Sequence, residues 1–557
     1  MRRHFIIHTS SFFACLLAVL CLTSCLKEEL KDRSEEESIY TSASSIYTNA
    51  VAALYNYIGG SEDSQGLQGT RAGVYDYNTF TTDEAIIPIR GGDWYDGGIW
   101  QRMHRHTWTT DESALYDTWT YLYKVVMLCN KSLSIIDTHK DLLTTAQYDM
   151  YYSEVRALRA IFYWYLMDMY GNVPLVTSTN TTLEDCVQST RSEVWNFCVN
   201  ELMDSSGSLY NLSSSATPGN GYGRVTDRVA LFVLAKLMLN AEVYNDDDWT
   251  DNSRPDGKTI LVKCFGQTMN VWQACEEYCE AIAKGAVQDY YEVELEKDFS
   301  TNFSINNTVS KENIFVIPTN RGTYAANFTN TMRSLHYNHA ASYGKVGLNG
   351  PCATKKAILA FGYGTDTTDP RLDKTFFYGP VIKNNEKGQP TDTVKHDSGK
   401  PLVYYPLAVE ENLTNSKRIQ TAGARFKKYE IDANALSDGN RPNNNIVLFR
   451  YADALLMAAE AAVRNGEDGA EYLNQVRDRV GAPHVECTLD NILNERLLEL
   501  AWEGWRRQDL VRFGQFHKAY GDERAQLSNE ADAHTIVFPI PQRSIELNPN
   551  LKQNKGY

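Results

Sequence analysis

Residues 450–465 read RYADALLMAAEAAVRN, residues 470–483 read AEYLNQVRDRVGAP, and residues 495–513 read ERLLELAWEGWRRQDLVRF. Each stretch carries helical spacing and its own stop signal. In the first, Tyr451, Leu455, Ala458, Ala459 and Ala462 fall on one face, and Ala452, Ala454 and Ala461 keep the remaining surface small. Asn465-Gly466 supplies a left-handed cap. The second stretch buries Leu473, Val476 and Val480 and stops at Gly481-Ala482-Pro483. The third helix begins near Thr488, a residue type suited to an N-cap. Small-faced antiparallel helix pairs are the units from which tetratricopeptide-type scaffolds are built. The fold class expected is therefore mainly all-α.

Working outward, the same periodicity predicts helices over 44–58, 113–137, 145–170, 192–206, 226–244 and 271–285. From about 289 to 445 it fades into a segment rich in Asn, Gly, Thr and Tyr, with short strand-like pieces such as Ile314-Phe315-Val316-Ile317. The plan is a helical scaffold, about 44–288 and 450–516, interrupted by a large loop-rich insertion. Because scaffold helices come from both ends, residues 25–557 read as one two-lobed unit.

The wording of the C-terminal block resembles the signature of the SusD/RagB family of outer-membrane nutrient-binding lipoproteins. The match is dense at Arg450-Tyr451-Ala452-Asp453, Leu455-Leu456, Ala459-Glu460-Ala461, Asn474, Val476-Arg477, Arg479, Glu495-Arg496, Glu499, Glu503-Gly504, Arg506 and Asp509-Leu510. Phe538-Pro539-Ile540-Pro541 and the run from Asn548-Pro549 to Gly556-Tyr557 are similar to that family's ending. A third block lies upstream at Glu154, Arg156, Leu158-Arg159-Ala160, Tyr163, Leu166 and Tyr170 to Leu175. The resemblance implies a tetratricopeptide-like scaffold, a cell-surface glycan-binding lipoprotein, and a SusC-like TonB-dependent transporter as partner. It implies no catalysis.

The N-terminus agrees. Arg2 and Arg3 precede a short apolar run, Phe12 to Leu22, which closes on Leu22-Thr23-Ser24-Cys25. That is a signal-peptide core followed by a lipoprotein processing site, so residues 1–24 read as the signal and Cys25 as the lipidated residue. A lipid on one residue anchors a soluble body without a membrane span. In the lipoproteins it resembles, acids just after the cysteine, here Glu28 and Glu29, accompany export to the surface. The formal net charge is −16, and loss of residues 1–24 removes two arginines and no acid. That balance leaves no basic stripe for phosphates and excludes nucleic acid as a partner. Cys129, Cys186, Cys198, Cys264, Cys275, Cys279, Cys352 and Cys487 show no metal-type pairs and read as small core residues.

The ligand-binding candidate is the stretch around Arg90-Gly91-Gly92-Asp93-Trp94-Tyr95-Asp96-Gly97-Gly98-Ile99-Trp100. Flanking glycines predict a tight, irregular loop that exposes an indole. A sugar ring has an apolar face and a hydroxyl rim, so it calls for flat aromatic platforms and a few placed polar groups. Trp94, Tyr95 and Trp100 are the platform candidates, with Asp83, Arg90 and Asp93 as hydrogen-bonding partners. The resemblance points the same way: the starch-binding member uses an aromatic arc with an Asp, an Arg and an Asn. Trp94 is the nearest match to the arc's early-loop tryptophan, with Asp83 and Arg90 as matches for the polar groups. Packing against the scaffold is the alternative for Trp100, His104, His106 and Trp108. The insertion adds Tyr324, Phe328, His336, Tyr337, Tyr343 and Asn349 as residues of suitable type.

Three other patterns have competing readings. Glu495, Glu499 and Glu503 recur every four residues beside arginines, which predicts ion pairs on one helix rather than acid–base chemistry. Asp246-Asp247-Asp248 with Asp251 and Asp256-Gly257 reads as a solvated acidic loop, with a calcium ion as the alternative. A glycoside hydrolase would need a carboxylate pair beside the aromatics, for which only Asp83, Asp93 and Asp96 are available. A protein-binding scaffold would bury Trp94 and Trp100, and within the family a peptide or other nutrient is the alternative ligand. No dinucleotide, phosphate-loop, zinc or Ser-His-Asp pattern occurs, and no cofactor is expected.

Overall fold

A computed structural model of the chain describes residues 39–557 except 61–64, 70, 204–207, 215–221, 287–292, 321, 323–327 and 385–388. The signal segment, Cys25 and Tyr324 lie outside the described residues. The helices used below are α1 (Val74–Phe80), α2 (Ile99–Arg105), α3 (Ser113–Thr138), α4 (Thr145–Tyr170), α5 (Arg191–Met203), α6 (Asp227–Leu239), α7 (Val271–Lys284), α8 (Tyr337–Ala341), α9 (Tyr451–Asn465), α10 (Ala470–Val480), α11 (Leu489–Leu500) and α12 (Arg506–Arg512).

Local chemistry sets these boundaries. Thr144 and Asn270 cap α4 and α7 with capping boxes, each completed by a glutamine at the third helical position. Thr488 accepts from Asn491 N at the start of α11. Left-handed Gly466 and Gly481 end α9 and α10. Neighbouring helices stack α3 on α4, α4 on α5, α6 on α7, α7 on α9, and α9 on both α10 and α11. The stack thus passes directly from the first half of the chain (α7) to the last quarter (α9). The alanines of α9 allow this: Ala452, Ala454, Ala458, Ala459, Ala461 and Ala462 are all buried. The entry to α10 is equally close, since a Cβ on Gly469 would lie 2.5 Å from Ala459 O.

From Ser153 onward every residue of α4 is buried, as expected of a helix enclosed on all sides rather than on one stripe. It anchors one apolar cluster that runs from Ile46 to Leu551. Each large side chain fully withdrawn from water there contributes about 1.5–3 kcal/mol.

Three expectations need correction. The helix predicted over 44–58 is four consecutive pieces: Ala43–Ile46, a π-turn at Tyr47–Val51, a 3-10 turn at Ala52–Tyr55, and Asn56–Gly59. The pitch changes where Tyr47 and Tyr55 both donate to Glu154 Oε1, at 3.4 and 2.5 Å. The segment 226–244 breaks at Asn240, whose amide caps Lys236 O at 2.9 Å. Glu503 does not share a helix with Glu495 and Glu499. Helix α11 ends at Leu500, and the chain turns through Trp502 at φ +68°.

The insertion is loops, short helices and two-stranded ladders. Strand β1 (Asn313–Ile317) pairs antiparallel with β2 (Ile446–Arg450), so the two ends of the insertion close against each other. Arg450 ends β2 inside a buried charge cluster. Its guanidinium meets Glu312 at 2.8 Å, both carboxylate oxygens of Glu503 at 2.8 Å, and Glu499. Arg371 adds Glu495 at 2.7 Å and Glu499 at 2.9 Å. Burial alone would raise the Glu499 carboxyl, but Arg479, Arg450 and Arg371 hold it well below the usual range. The ion-pair reading of these acids stands. Removing one partner leaves buried charge uncompensated, so Arg450→Ala is expected to cost about 3–5 kcal/mol. A urea midpoint within experimental error of the parent protein would contradict this.

Candidate ligand-binding site

The segment between Asp83 and Trp108 is more ordered than its glycines imply. Helix α1 precedes it and α2 lies within it, with a strained loop between the two. Arg90 and Asp93 exchange backbone hydrogen bonds at 3.0 and 3.3 Å, closing a tight turn. Trp94 follows at φ +64°, Asp96 at φ +40°, and Gly97 and Gly98 at φ +67° and +84°. Left-handed backbone at a non-glycine residue costs about 1–2 kcal/mol and persists only where its surroundings enforce it.

Those surroundings are visible. Trp94 Nε1 donates to Leu348 O at 2.9 Å. Its ring leans on Trp100 with centroids 6.2 Å apart. Arg333, itself held by Asp76 in a two-bond fork at 2.8 and 3.0 Å, lies 5.6 Å from the Trp94 ring and 5.0 Å from Trp100. Gly350 leaves the space the indole fills, since a Cβ there would lie 2.3 Å from Trp94 Cζ2. The indole is half-buried, with Tyr95 beside it in sequence 58 % exposed.

Across the loop, Tyr337 opens α8, is 38 % exposed, and donates its hydroxyl to Asp93 Oδ2 at 2.9 Å. Partial burial, and then this bond, raise the Tyr337 hydroxyl above its ordinary value. Leu348, whose carbonyl holds the indole, and Val346 are also exposed. Trp94, Tyr95, Tyr337 and Asp93 therefore present ring faces with a polar rim.

Several predicted contacts are instead internal supports. Asp83 is wholly buried, forked by Arg506 at 2.7 and 2.9 Å and met by Lys356 at 2.7 Å. Burial would raise its carboxyl, but these two cations bring it down to about 2. Arg90 is buried beneath the loop, donating to Ile419 O at 2.7 Å and Ala422 O at 2.9 Å. Burial, then the nearby Arg425, lowers its guanidinium to about 9. Trp100 is buried in α2 with Nε1 bonded to Asp96 at 2.7 Å. Asn349 is buried at φ +51° and accepts from Arg425 at 2.9 Å. Phe328 packs edge-on to Tyr429. His336 is buried against Gln420, and burial lowers its imidazole to about 4. None of these six offers a free face to solvent, which corrects the ligand-contact expectation for each. His104, His106 and Trp108 are buried packing residues. Tyr343 is half-buried on the other side of α8.

Periodicity and composition had not singled out Leu348 and Gly350, because their role depends on a chain crossing more than 250 residues from Trp94. Nor do the three carboxylates beside the aromatics form an acid–base pair: Asp83 is ion-paired, Asp93 holds Tyr337, and Asp96 holds Trp100. In the acidic loop, Asp247 caps α5 through Ser192 N and Oγ, both at 2.9 Å. Asp251 and Asp256 accept from backbone two residues on. Among the described residues no group of three or more His, Cys, Asp or Glu is gathered to hold a metal. Nor, among them, is any helix long and apolar enough to cross a membrane.

Gly350→Ala tests the enforced geometry directly. It should displace the indole and break its bond to Leu348 O, shifting a single resonance in the 19F spectrum of fluorotryptophan-labelled protein. An unchanged Trp94 resonance would show that the loop does not depend on that space.

Known proteins share this architecture. Residues 311–557 match the model of the SusD family, and residues 67–239 match one described as starch-binding, associating with outer membrane. The chain is 23 % identical to the starch-binding protein SusD of Bacteroides thetaiotaomicron, covering 98 % of each. It is 24 % identical to the SusD-like protein P25 of Formosa agariphila, covering 81 % of each. Among solved structures, surface glycan-binding protein A of Bacteroides thetaiotaomicron with laminarihexaose superposes with a TM-score of 0.67 at 22 % identity. That match covers 93 % of this chain and all of the other. A SusD-like protein of Bacteroides fragilis gives a TM-score of 0.70 at 19 % identity, covering 95 % and 100 %. The helix stack, the insertion closed by β1 and β2, and the matches in both halves lead to one conclusion: the chain belongs to the SusD family.

Proposed function

We propose that this protein captures an oligo- or polysaccharide at the cell surface and passes it to a SusC-like TonB-dependent transporter. It is held to the outer membrane by lipid on Cys25 and faces outward. The observation that carries the reading is the enforced, partly exposed Trp94 ring beside Tyr95 and the Tyr337–Asp93 pair. Such a surface suits stacking on a sugar's apolar face with hydrogen bonds at its rim. Relatives named for starch and for surface glycans support the ligand class. Asp83 is forked by Arg506, and Asp93 and Asp96 each hold a neighbouring ring, an arrangement that supports binding rather than acid–base chemistry.

Affinity gel electrophoresis of the full-length protein in mild detergent, against plant, host and microbial polysaccharides, tests the reading. Retardation by at least one glycan is expected. Trp94→Ala should weaken it about thirtyfold, as for a binding hot spot of about 2 kcal/mol. Trp100→Ala should act chiefly on stability, because that ring is buried. If no glycan retards the protein, the ligand class is wrong and peptides or other nutrients take its place. Anchoring is separately testable: Cys25→Ser should move the protein from the membrane fraction to the soluble one.

A further inference from the structure

The far side of α8 opens onto a second cleft of about 1140 Å³. Tyr343, Phe377 and Tyr378 line it, together with Asp373, Lys383 and Lys427. The three rings are half-buried, and each is braced from behind. Tyr343 lies 5.8 Å from the His339 ring, and Phe377 meets the same imidazole edge-on at 4.7 Å. Tyr378 is edge-on to Tyr363 at 5.5 Å, with its hydroxyl on Asp373. Lys427 Nζ sits 5.3 Å over Phe377 and donates to Asp373 O at 2.5 Å. The rings are therefore braced by neighbours of this chain, and all three line the cleft.

The size and lining restrict what fits. The volume exceeds the roughly 300–1,000 Å³ of ordinary small-molecule pockets, so a single sugar would leave most of it wet. The lining carries both signs, with Asp373, Glu430 and Asp432 against Lys383 and Lys427, so no strong field selects a charged ligand. Rings with mixed hydrogen-bonding groups suit an extended neutral glycan.

Position completes the argument. Tyr337, which faces Asp93 and the Trp94 loop, is the first residue of α8. His339 is buried in the middle of that helix, and Tyr343 follows just past its end. Tyr337 thus opens the helix on one side and Tyr343 follows two residues past its last turn. One short helix therefore borders both surfaces.

We propose that the Tyr343–Phe377–Tyr378 cleft is a distal subsite for the same glycan chain that stacks on Trp94. This rests on the glycan-binding reading above. Occupying both surfaces makes the second contact intramolecular, so affinity rises with chain length by effective concentration.

The test is calorimetric titration of the full-length protein with oligomers of graded length. The probes are hydrolysis ladders of laminarin, of starch, and of any other polymer that retards the protein in gels. Tyr343→Ala and Tyr378→Ala should weaken long oligomers about tenfold and leave the shortest binding oligomers unchanged. Tyr343→Phe keeps the ring and should bind as the parent does, which separates a lost platform from a damaged fold. Trp94→Ala should weaken every length. If Trp94→Ala weakens binding but the two tyrosine variants match the parent at all lengths, the distal subsite is refuted and the primary one stands. If the parent protein binds no oligomer or polymer, the glycan reading falls and the subsite falls with it.

Discussion

A guanidinium taken out of water must find carboxylates, and Arg450 finds three. Glu312 comes from the start of the insertion, Glu499 from α11, and Glu503 from the turn beyond it. Its position at the end of β2 ties strand pairing, helix packing and the insertion's closure to one desolvated charge. Arg371 extends this cluster to Glu495, and a second buried cluster joins Arg496 to Asp453 and Asp509 and Arg512 to Asp509 and Glu460. Buried pairs of this kind gain little over well-packed apolar residues, but they penalise any arrangement in which one partner is missing. Here the alternatives they exclude are wrong registers between two chain ends more than a hundred residues apart.

The candidate site is supported by a separate buried ion pair. Arg506, two residues past Gly504, forks Asp83, and Trp502 N donates to Glu84 at 2.9 Å. Asp83 and Glu84 lead directly into the loop that carries Trp94. The loop's left-handed residues are therefore held by contacts to α12, to Gly350 and to the carbonyls of Ile419 and Ala422. A loop held in one geometry by its surroundings loses little further conformational freedom on binding a ligand. Asp83 and Arg90 near the aromatics thus serve rigidity, while the exposed Asp93 holds Tyr337.

The helical part of the plan was legible because its signals are local. Spacing of apolar positions, Thr144, Asn270 and Thr488 at starts, and Gly466 and Gly481 at stops all act within a few residues. The helices α1 and α2 escaped that reading. Their buried residues, such as Tyr75, Tyr77 and Trp100, sit among glycines and polar groups and show no clean stripe. The break at Asn240, which accepts from Arg512 at 3.0 Å, and the changes of pitch at Tyr47–Tyr55, which share the acceptor Glu154, also meet distant partners.

For the site, residue type alone identified the aromatic loop, and the arginines beside Glu495 and Glu499 marked those acids as ion-paired. It did not sort platforms from supports. Trp94 and Trp100 are six residues apart and chemically identical, yet one is half-exposed and bonded to Leu348 O while the other is buried on Asp96. Asp83 and Asp93 divide in the same way, one under Arg506 and the other on Tyr337. The sequence by itself determined the helix stack, the family signature and the location of an aromatic loop, because each is written in short-range pattern. Only the tertiary structure decided which rings face solvent and that α8 borders two surfaces. Exposure is set by which distant segments cover a side chain, and no local spacing encodes that.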